Sequence, residues 1–357
     1  MEDRLATLRK IILSKNLDGI LISSVPNVGV LSGFTGDSSM LVVTSDAQML
    51  VTDFRFVEQA ERECSDWTIV RRDTGFYKTL AGVLSDAGVR RLGFESAHLT
   101  HAQHERLSSA AAGVTLTPLL DTVERLRETK TDEEVAHIEA ALRIQETALR
   151  EVMTWVRPGM TEKRVASELD HRMRLNGAEA SAFETIVAAG ERASLPHAQP
   201  TERVISQGDA LLIDWGARRF FFNSDLTRML HFGSVSAEFR KVYEVVAEAQ
   251  TRAMDVVRPG ATFAEVDAAA REHIRRAGYG ERFGHALGHG VGREVHESPV
   301  VGEGNEDRLA PGMVFTVEPG IYIPTWGGVR IEDMVLVTDN GVRVLSDFEK
   351  NLDALVL

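Results

Sequence analysis

The chain has 357 residues, of which 43% are apolar and 26% are charged, a balance typical of a globular protein that excludes a disordered chain. Its 40 Lys and Arg residues face 53 Asp and Glu residues, giving a net charge of −13, and this acidic excess speaks against nucleic acid as a partner. No window approaches the roughly 20 apolar residues of a membrane span. The amphipathic N-terminus lacks the apolar stretch of a signal peptide. Because the single cysteine Cys64 also fits a reducing compartment, we expect a cytoplasmic location without membrane attachment.

Residues 1–125 are predicted to form a small α/β domain, because strand-like and helix-like segments alternate along them. The apolar runs Met40–Val43 and Met49–Thr52 flank a polar turn, which is the pattern of a β-hairpin. Helices are expected over Tyr77–Leu84 and Leu99–Ala111. No cluster of residues with catalytic chemistry stands out in this part of the chain.

A second domain is predicted over residues 131–357. A capping box formed by Thr131 and Glu134 opens a long helix at its start. The sequence VRPG at positions 156–159 recurs 101 residues later, at 257–260, and further matches such as Thr161 with Thr262 keep the same register. Each copy reads as two helices followed by strands. Two such halves would place their sheets against each other, with a cleft between them.

Each half of this repeat carries two acidic residues on neighbouring strands. Asp214 ends an apolar strand, and Asp225 follows 11 residues later, a distance at which a hairpin brings both carboxylates to one face. Glu318 and Glu332 repeat the pattern in the second half. A buried carboxylate needs a partner, and facing carboxylates repel unless a cation lies between them.

A glycine-rich segment in the second half contains three histidines, His285, His289 and His296. Four carboxylates and one neutral imidazole would balance the charge of two divalent cations, which can activate a shared water. Such oxygen-rich ligation favours Mn²⁺, with Co²⁺, Zn²⁺ or Fe²⁺ as alternatives.

The segments IDWGA, SDLTR, GHGVGREVHESP, TVEPGIY and GVRIED resemble the motifs of the pita-bread metallopeptidases, which include methionine aminopeptidase, aminopeptidase P and prolidase. The resemblance implies an α+β pita-bread catalytic domain with an internal pseudo-twofold repeat. The first 125 residues resemble, more weakly, the N-terminal α/β domain of prolidases and aminopeptidases P. Because methionine aminopeptidases typically lack that domain, the proline-specific branch is favoured.

The resemblance also implies a role for each matching residue. Glu318 would act as a general base on water besides binding metal, and His296 would contact the scissile carbonyl or stabilise the tetrahedral intermediate. His197 would be a further catalytic histidine on the substrate side. The implied metal ligands are Asp214, Asp225, His289, Glu318 and Glu332. The candidate substrate-binding residues are His285, Arg330 and Phe221, the last as part of an apolar wall for the proline ring.

The implied activity is hydrolysis of the bond between an N-terminal residue and proline in small peptides. A prolidase cleaves Xaa-Pro dipeptides and needs a cation for the free carboxylate, whereas aminopeptidase P cleaves longer peptides and leaves that side open. Glu332 follows Glu318 by only 14 positions, and this short separation favours the dipeptidase. Arg218, Arg293 and Arg330 are candidates for the carboxylate.

The sequence leaves two alternative functions and the oligomeric state open. Creatine-hydrolysing relatives share the pita-bread fold without the metal ligands, and other relatives are binding proteins that have lost catalysis. The complete ligand set opposes both, and metal content would discriminate between them and an enzyme. Because relatives are commonly dimers, a homodimer is expected.

Overall fold

The computed structural model describes residues 3–73 and 75–357. They form two compact units, and the chain passes from one to the other between Arg127 and Glu128. Among the described residues, no helix combines the length and the apolar character needed to cross a bilayer.

The N-terminal unit is a six-stranded mixed sheet with helices around it. Its strand order is β4-β3-β2-β1-β5-β6. The strands are β1 (Gly19–Ile22), β2 (Ser39–Thr44), β3 (Gln48–Thr52), β4 (Thr68–Arg71), β5 (Arg91–Glu95) and β6 (Thr115–Leu119). The helices are α1 (Arg4–Ser14), α2 (Val25–Ser32), α3 (Val57–Glu63), α4 (Phe76–Asp86), α5 (His101–Ala110) and α6 (Thr122–Glu128).

Alternation along the strands explains why this sheet is covered on both faces. Ile20 and Ile22 of β1 join an apolar cluster with Leu8 of α1, whereas Leu21 points to the opposite cluster with Leu80 of α4. The period of two therefore directs successive side chains into two separate cores. The predicted hairpin is confirmed, since β2 and β3 pair antiparallel.

The second unit contains two helix pairs and four small sheets. Its helices are α7 (Asp132–Met153), α8 (Glu162–Leu175), α9 (Ala237–Val256) and α10 (Phe263–Arg276). Its first strands are β7 (Ala180–Ser181), β8 (Ile186–Ala189), β9 (Ala210–Trp215), β10 (Ala217–Arg219), β11 (Phe222–Asn223) and β12 (Leu226–His231). The later strands are β13 (Gly288–Gly290), β14 (Glu297–Val301), β15 (Val314–Val317), β16 (Gly320–Ile323), β17 (Gly327–Arg330), β18 (Asp333–Thr338) and β19 (Gly341–Val344).

These sheets have the strand orders β11-β10-β7, β12-β9-β8, β14-β13-β15-β18-β19 and β16-β17. The sequence repeat appears in them as a structural repeat. Thr161 and Thr262 are the N-caps of α8 and α10, and each hydroxyl accepts a hydrogen bond from the backbone N–H three residues later. Each threonine also forms a β-bridge to a later segment, at Val204 and Arg308 respectively. Each half is thus a helix pair followed by antiparallel strands, which confirms the predicted architecture.

Strand β9 shows how the core directs one carboxylate towards the second half. Leu211 and Ile213 pack into the apolar cluster beneath α7 and α8, while Leu212 packs into the cluster that includes α9 and α10. Because side chains alternate along a strand, Asp214 shares its face with Leu212. The acidic side chain therefore points away from the first-half helices and towards the second half of the unit.

Candidate active site

The first half supplies its two carboxylates from adjacent antiparallel strands. Asp214 on β9 lies opposite Thr227 on β12. Asp225 immediately precedes β12 and is separated from Thr227 by one residue, so both side chains are expected on one face of that strand. The predicted hairpin arrangement of Asp214 and Asp225 is therefore present.

The second half builds the same arrangement with longer side chains. Glu318 directly follows β15, and Glu332 directly precedes β18. These two strands pair antiparallel with Val317 opposite Asp333, so both glutamates lie at the same end of the strand pair. The Thr227 hydroxyl donates to Glu332 Oε2 at 2.7 Å and thereby links the two halves.

His289 enters the site on β13, which packs unusually close to β15. A Cβ atom on the preceding Gly288 would lie 2.0 Å from the carbonyl oxygen of Thr316, so only glycine permits this approach. The Thr316 hydroxyl accepts from the His289 backbone N–H at 3.0 Å and donates to Glu318 Oε1 at 3.1 Å. A single threonine thus holds the histidine and the glutamate together.

The His289 ring is oriented for metal ligation. Its Nδ1 lies 3.1 Å from the carbonyl oxygen of Gly290, which can only accept, so Nδ1 carries the proton. The other ring nitrogen, Nε2, faces the carboxylates and lies 3.3 Å from Glu318 Oε1 and 3.6 Å from Asp225 Oδ2. One ligand atom each from Asp225, His289 and Glu332 lie within 4.8 Å of one another. A backbone carbonyl that fixes the tautomer is a common support for a metal-binding histidine.

The ionised forms of three of these carboxylates are disfavoured by their surroundings. Burial, followed by repulsion from neighbouring carboxylates, raises the pKa of Asp225 and of Glu332 well above their ordinary values. Burial also raises the pKa of Asp214, whose Oδ1 is buried and accepts no hydrogen bond from the described residues. An orphaned carboxylate oxygen, crowded acidic groups and one oriented imidazole form a donor set that fits divalent cations.

Glu318 differs from the other carboxylates. Burial opposes its ionisation, but the hydrogen bond and charge of His289 outweigh burial and lower the pKa of Glu318 to about 2. The same contact raises the pKa of His289 despite the burial of the ring. The contact with His289 therefore favours the ionised form of Glu318.

Arg330 forms a buried hub beside these groups. Its guanidinium donates to Asp214 Oδ2 at 2.6 Å, to the Thr227 hydroxyl at 3.0 Å, to the Tyr322 hydroxyl at 2.9 Å and to the Pro196 carbonyl oxygen at 3.1 Å. Through these contacts the Arg330 guanidinium connects both halves of the repeat and the segment next to His197. Asp214 remains paired even though its second oxygen is orphaned.

A cavity of about 550 Å³ opens above the carboxylates. Every predicted metal ligand lines it, as do the predicted residues His197, His285, His296 and Arg330. The His296 and His289 ring centroids are 4.2 Å apart. Desolvation lowers the pKa of His285 and of His296, which favours neutral imidazoles facing the cavity.

The structure does not bring Phe221 to the cavity, which corrects the predicted apolar wall. Phe221 lies in the turn between β10 and β11 with φ of 61°, and 38% of it is exposed. Arg218 and Arg293 do not line the cavity either. Sequence pattern identified an aromatic residue near Asp225 but could not show that the tight turn directs it away.

The cavity is also lined by apolar residues that no sequence motif indicated. Phe183 and Ile186 lie before β9, and Val300 lies on β14, and all three line the cavity. None carries a chemical signature that distinguishes it from a core residue. Thr227 and Thr316 were also missed, although each stands two residues from a carboxylate ligand candidate, the spacing that places two side chains on one strand face.

Comparison with protein families agrees with this arrangement. The sequence model of metallopeptidase family M24 matches residues 136–339. The chain belongs to metallopeptidase family M24. The model of the creatinase/prolidase N-terminal domain matches residues 4–129. As a metallopeptidase family, M24 implies divalent metal ions in catalysis, and the site described above supplies suitable ligands.

Similar proteins cover nearly the whole chain. A solved structure of an Xaa-Pro dipeptidase from Bacillus anthracis has a TM-score of 0.96 and 37% identity, with 99% of both chains covered. An Xaa-Pro dipeptidase of Pyrococcus horikoshii is 36% identical over 354 residues, or 99% of each chain. The structure of an X-Pro aminopeptidase from Thermotoga maritima has a TM-score of 0.91 and 36% identity, covering 98% of this chain and 100% of that one.

Proposed function

We propose that this M24 peptidase hydrolyses the bond between an N-terminal residue and proline, with Xaa-Pro dipeptides as its preferred substrates. The observation that carries the proposal is the convergence of four carboxylates and one oriented imidazole on the floor of a 550 Å³ cavity. The cavity has the size of a small-peptide site. Similarity to two Xaa-Pro dipeptidases over almost the full chain supports the choice of substrate.

We propose that two divalent cations, with Mn²⁺ favoured, are held by the carboxylates and imidazole described above. When bound, such cations polarise a scissile carbonyl and lower the pKa of a bound water. Oxygen donors predominate and no thiolate is present among the lining residues that the structure describes, which is the donor preference of Mn²⁺ rather than of structural zinc. The proposed ligands are Asp214, Asp225, His289, Glu318 and Glu332.

Three side chains would divide the chemistry of peptide cleavage. Glu318 takes the proton of the attacking water and delivers it to the leaving nitrogen. His296 donates a hydrogen bond to the oxygen that becomes negative in the transition state. His197 lies on an exposed segment of the cavity wall, where it would contact the bound substrate.

His285 is suited to hold the substrate pocket in shape rather than to transfer protons. Its Nδ1 donates to the Ala286 carbonyl oxygen at 2.7 Å, so its Nε2 accepts from the Tyr322 hydroxyl at 3.0 Å. Burial raises the pKa of Tyr322 to about 12, which keeps that hydroxyl protonated. Phe183, Ile186 and Val300 supply apolar surface for a proline ring.

One observation favours longer peptides as a second candidate substrate class. Of the described residues that line the cavity, Arg330 is the only arginine or lysine, and its donors already serve Asp214, Thr227, Tyr322 and Pro196. A free proline carboxylate would need a cation to offset its desolvation. A substrate with a further residue after proline has no such carboxylate at this point. An X-Pro aminopeptidase is also among the similar structures.

The two candidates are separated by comparing an Xaa-Pro dipeptide with an Xaa-Pro-Xaa tripeptide, each with Mn²⁺ and with chelator. Faster dipeptide cleavage supports the dipeptidase, and tripeptide cleavage alone supports the aminopeptidase. Cleavage of neither substrate by metal-loaded protein contradicts the proposal. Activity that survives exhaustive chelation contradicts the metal centre.

We further propose that the chain is a homodimer in the cytoplasm. The expected dimer mass is twice the chain mass of 39.3 kDa, and light scattering after size-exclusion chromatography measures it. A mass of one chain contradicts the dimer. The buried, unpaired Cys64 supports the reducing compartment.

A further inference from the structure

Helix α9 carries a glutamine that contacts the backbone next to both second-half glutamates of the site. Gln250 is 2% exposed and packs within the second half of the repeat. Its side-chain Nε2 donates to the Val317 carbonyl oxygen at 3.0 Å and to the Ile331 carbonyl oxygen at 3.1 Å. These two bonds satisfy carbonyl groups that are otherwise costly to bury.

The orientation of this amide follows from a third contact. Lys350 Nζ lies 3.2 Å from Gln250 Oε1. An ammonium group can only donate, so the amide atom that faces it must be the oxygen. The amide nitrogen, with its two hydrogens, therefore faces the two carbonyl oxygens.

The contacted residues directly precede the two glutamates of the site. Val317 stands before Glu318, and Ile331 stands before Glu332. We propose that Gln250 is a positioning residue that fixes the separation of Glu318 and Glu332 and thereby sets the metal affinity of the centre. The inference rests on the metal centre proposed above, but it concerns a side chain that neither touches the cavity nor binds metal.

The first half offers a comparison. Helix α7 carries Gln145, which is also buried and whose Nε2 donates to the carbonyl oxygen of Trp215, the residue after Asp214. The Trp215 indole N–H donates a hydrogen bond to the backbone carbonyl oxygen of Gln145 at 2.9 Å. Gln145 thus contacts the backbone of one ligand strand, whereas Gln250 joins two ligand segments. Gln250 thus bridges the backbone segments that lead to both glutamates of its half, and among the described residues Gln145 makes no such bridge.

The experiment measures Mn²⁺ binding to metal-free full-length protein by isothermal titration calorimetry. Gln250→Leu removes both amide donors while leaving every metal ligand in place. We expect its affinity for Mn²⁺ to fall by about 10- to 100-fold, the range seen when supporting contacts of metal ligands are removed. Turnover should recover towards that of the unaltered protein at saturating Mn²⁺, because Gln250 contacts no substrate.

Val246→Ala is the matched control, since Val246 is fully buried on the same helix and contacts the same core. It lowers the melting temperature by making a cavity, without removing a donor from either carbonyl. We expect its Mn²⁺ isotherm to match that of the unaltered protein. Equal weakening of metal binding by both variants would overturn the positioning role, because it would show that helix destabilisation alone is sufficient.

Gln250→Glu provides a second variant of nearly the same shape. Its ionised carboxylate cannot donate to the two carbonyl oxygens, so we expect weakening at least as great as in Gln250→Leu. Unaltered affinity in either folded variant contradicts the inference. If the unaltered protein itself binds no Mn²⁺, the proposed metal centre fails first, and that outcome is distinct from a failure specific to Gln250.

Discussion

The two halves of the catalytic unit share one backbone plan but contribute unequally to the site. The first half places Asp214 and Asp225 at a strand pair, and the second half places Glu318 and Glu332 at the corresponding strand pair. Only the second half adds the glycine-rich segment that carries three histidines of the cavity lining. The repeat explains the pairing of carboxylates, whereas the departure from the repeat supplies an oriented imidazole and groups that can handle protons.

The largest effect is expected at Glu318, the second-half carboxylate that is proposed to accept a proton besides binding metal. Glu318→Gln keeps the shape of the side chain but removes the proton acceptor, so kcat should fall by about 10²- to 10⁴-fold. Steady-state hydrolysis of an Xaa-Pro peptide measures the change, and circular dichroism checks the fold. Glu303→Gln, at a side chain that is 77% exposed, is the control and should keep full activity. Near-normal turnover of Glu318→Gln would refute the base assignment.

Metal content tests whether the two halves contribute equally to ligation. Asp225→Asn and Glu332→Gln each remove one anionic oxygen from corresponding positions of the two halves. We expect both variants to lose at least one of two bound ions per chain, as measured by elemental analysis of dialysed protein. If one variant kept full occupancy, the ligand arrangement would be less symmetric than the carboxylate positions indicate.

Substitution of the cavity histidines should affect kcat and KM differently in the two halves. His296 lies against His289, so His296→Ala should lower kcat by about 10²- to 10³-fold by removing a donor to the developing oxyanion, with metal content unchanged. His197→Ala should have a smaller effect, mainly on KM, because His197 lies on the exposed first-half segment. His171→Ala, on the surface of α8, is the control for both. A larger loss of kcat in His197→Ala would reverse the assigned division of roles.

The smallest effect concerns the close approach of β13 to β15. Gly288→Ala would push a Cβ against the Thr316 carbonyl group and should lower the free energy of unfolding by about 1–3 kcal/mol. Gly284→Ala is the matched control in the same glycine-rich segment, because no atom lies within 4 Å of its added Cβ. Urea denaturation measures both. Equal stability of the two variants would show that β13 can shift without cost.

Much of the catalytic unit followed from local sequence patterns. Thr161 and Thr262 predicted the starts of equivalent helices, because N-capping depends only on one side chain and the helical turn that follows it. Asp214 and Asp225 were assigned to one face because the period of a strand is fixed by its backbone. The pairing of Glu318 with Glu332 followed by the same reasoning. Capping geometry and strand period depend little on what packs against them.

The tertiary structure decided which side chains meet. Phe221 carried the right chemistry for an apolar wall, but a turn with positive φ directs it away from the cavity. Arg330 was one of three candidates for binding the substrate carboxylate, but packing commits its donors to four neighbours. Gln250 gave no signal in the sequence, since a buried glutamine has meaning only once the two carbonyls it contacts are known. The sequence by itself determined the repeated elements and the chemical types of the candidate ligands. Long-range packing determined which of these side chains meet at the cavity, because contacts between residues far apart in the chain depend on how every intervening element folds.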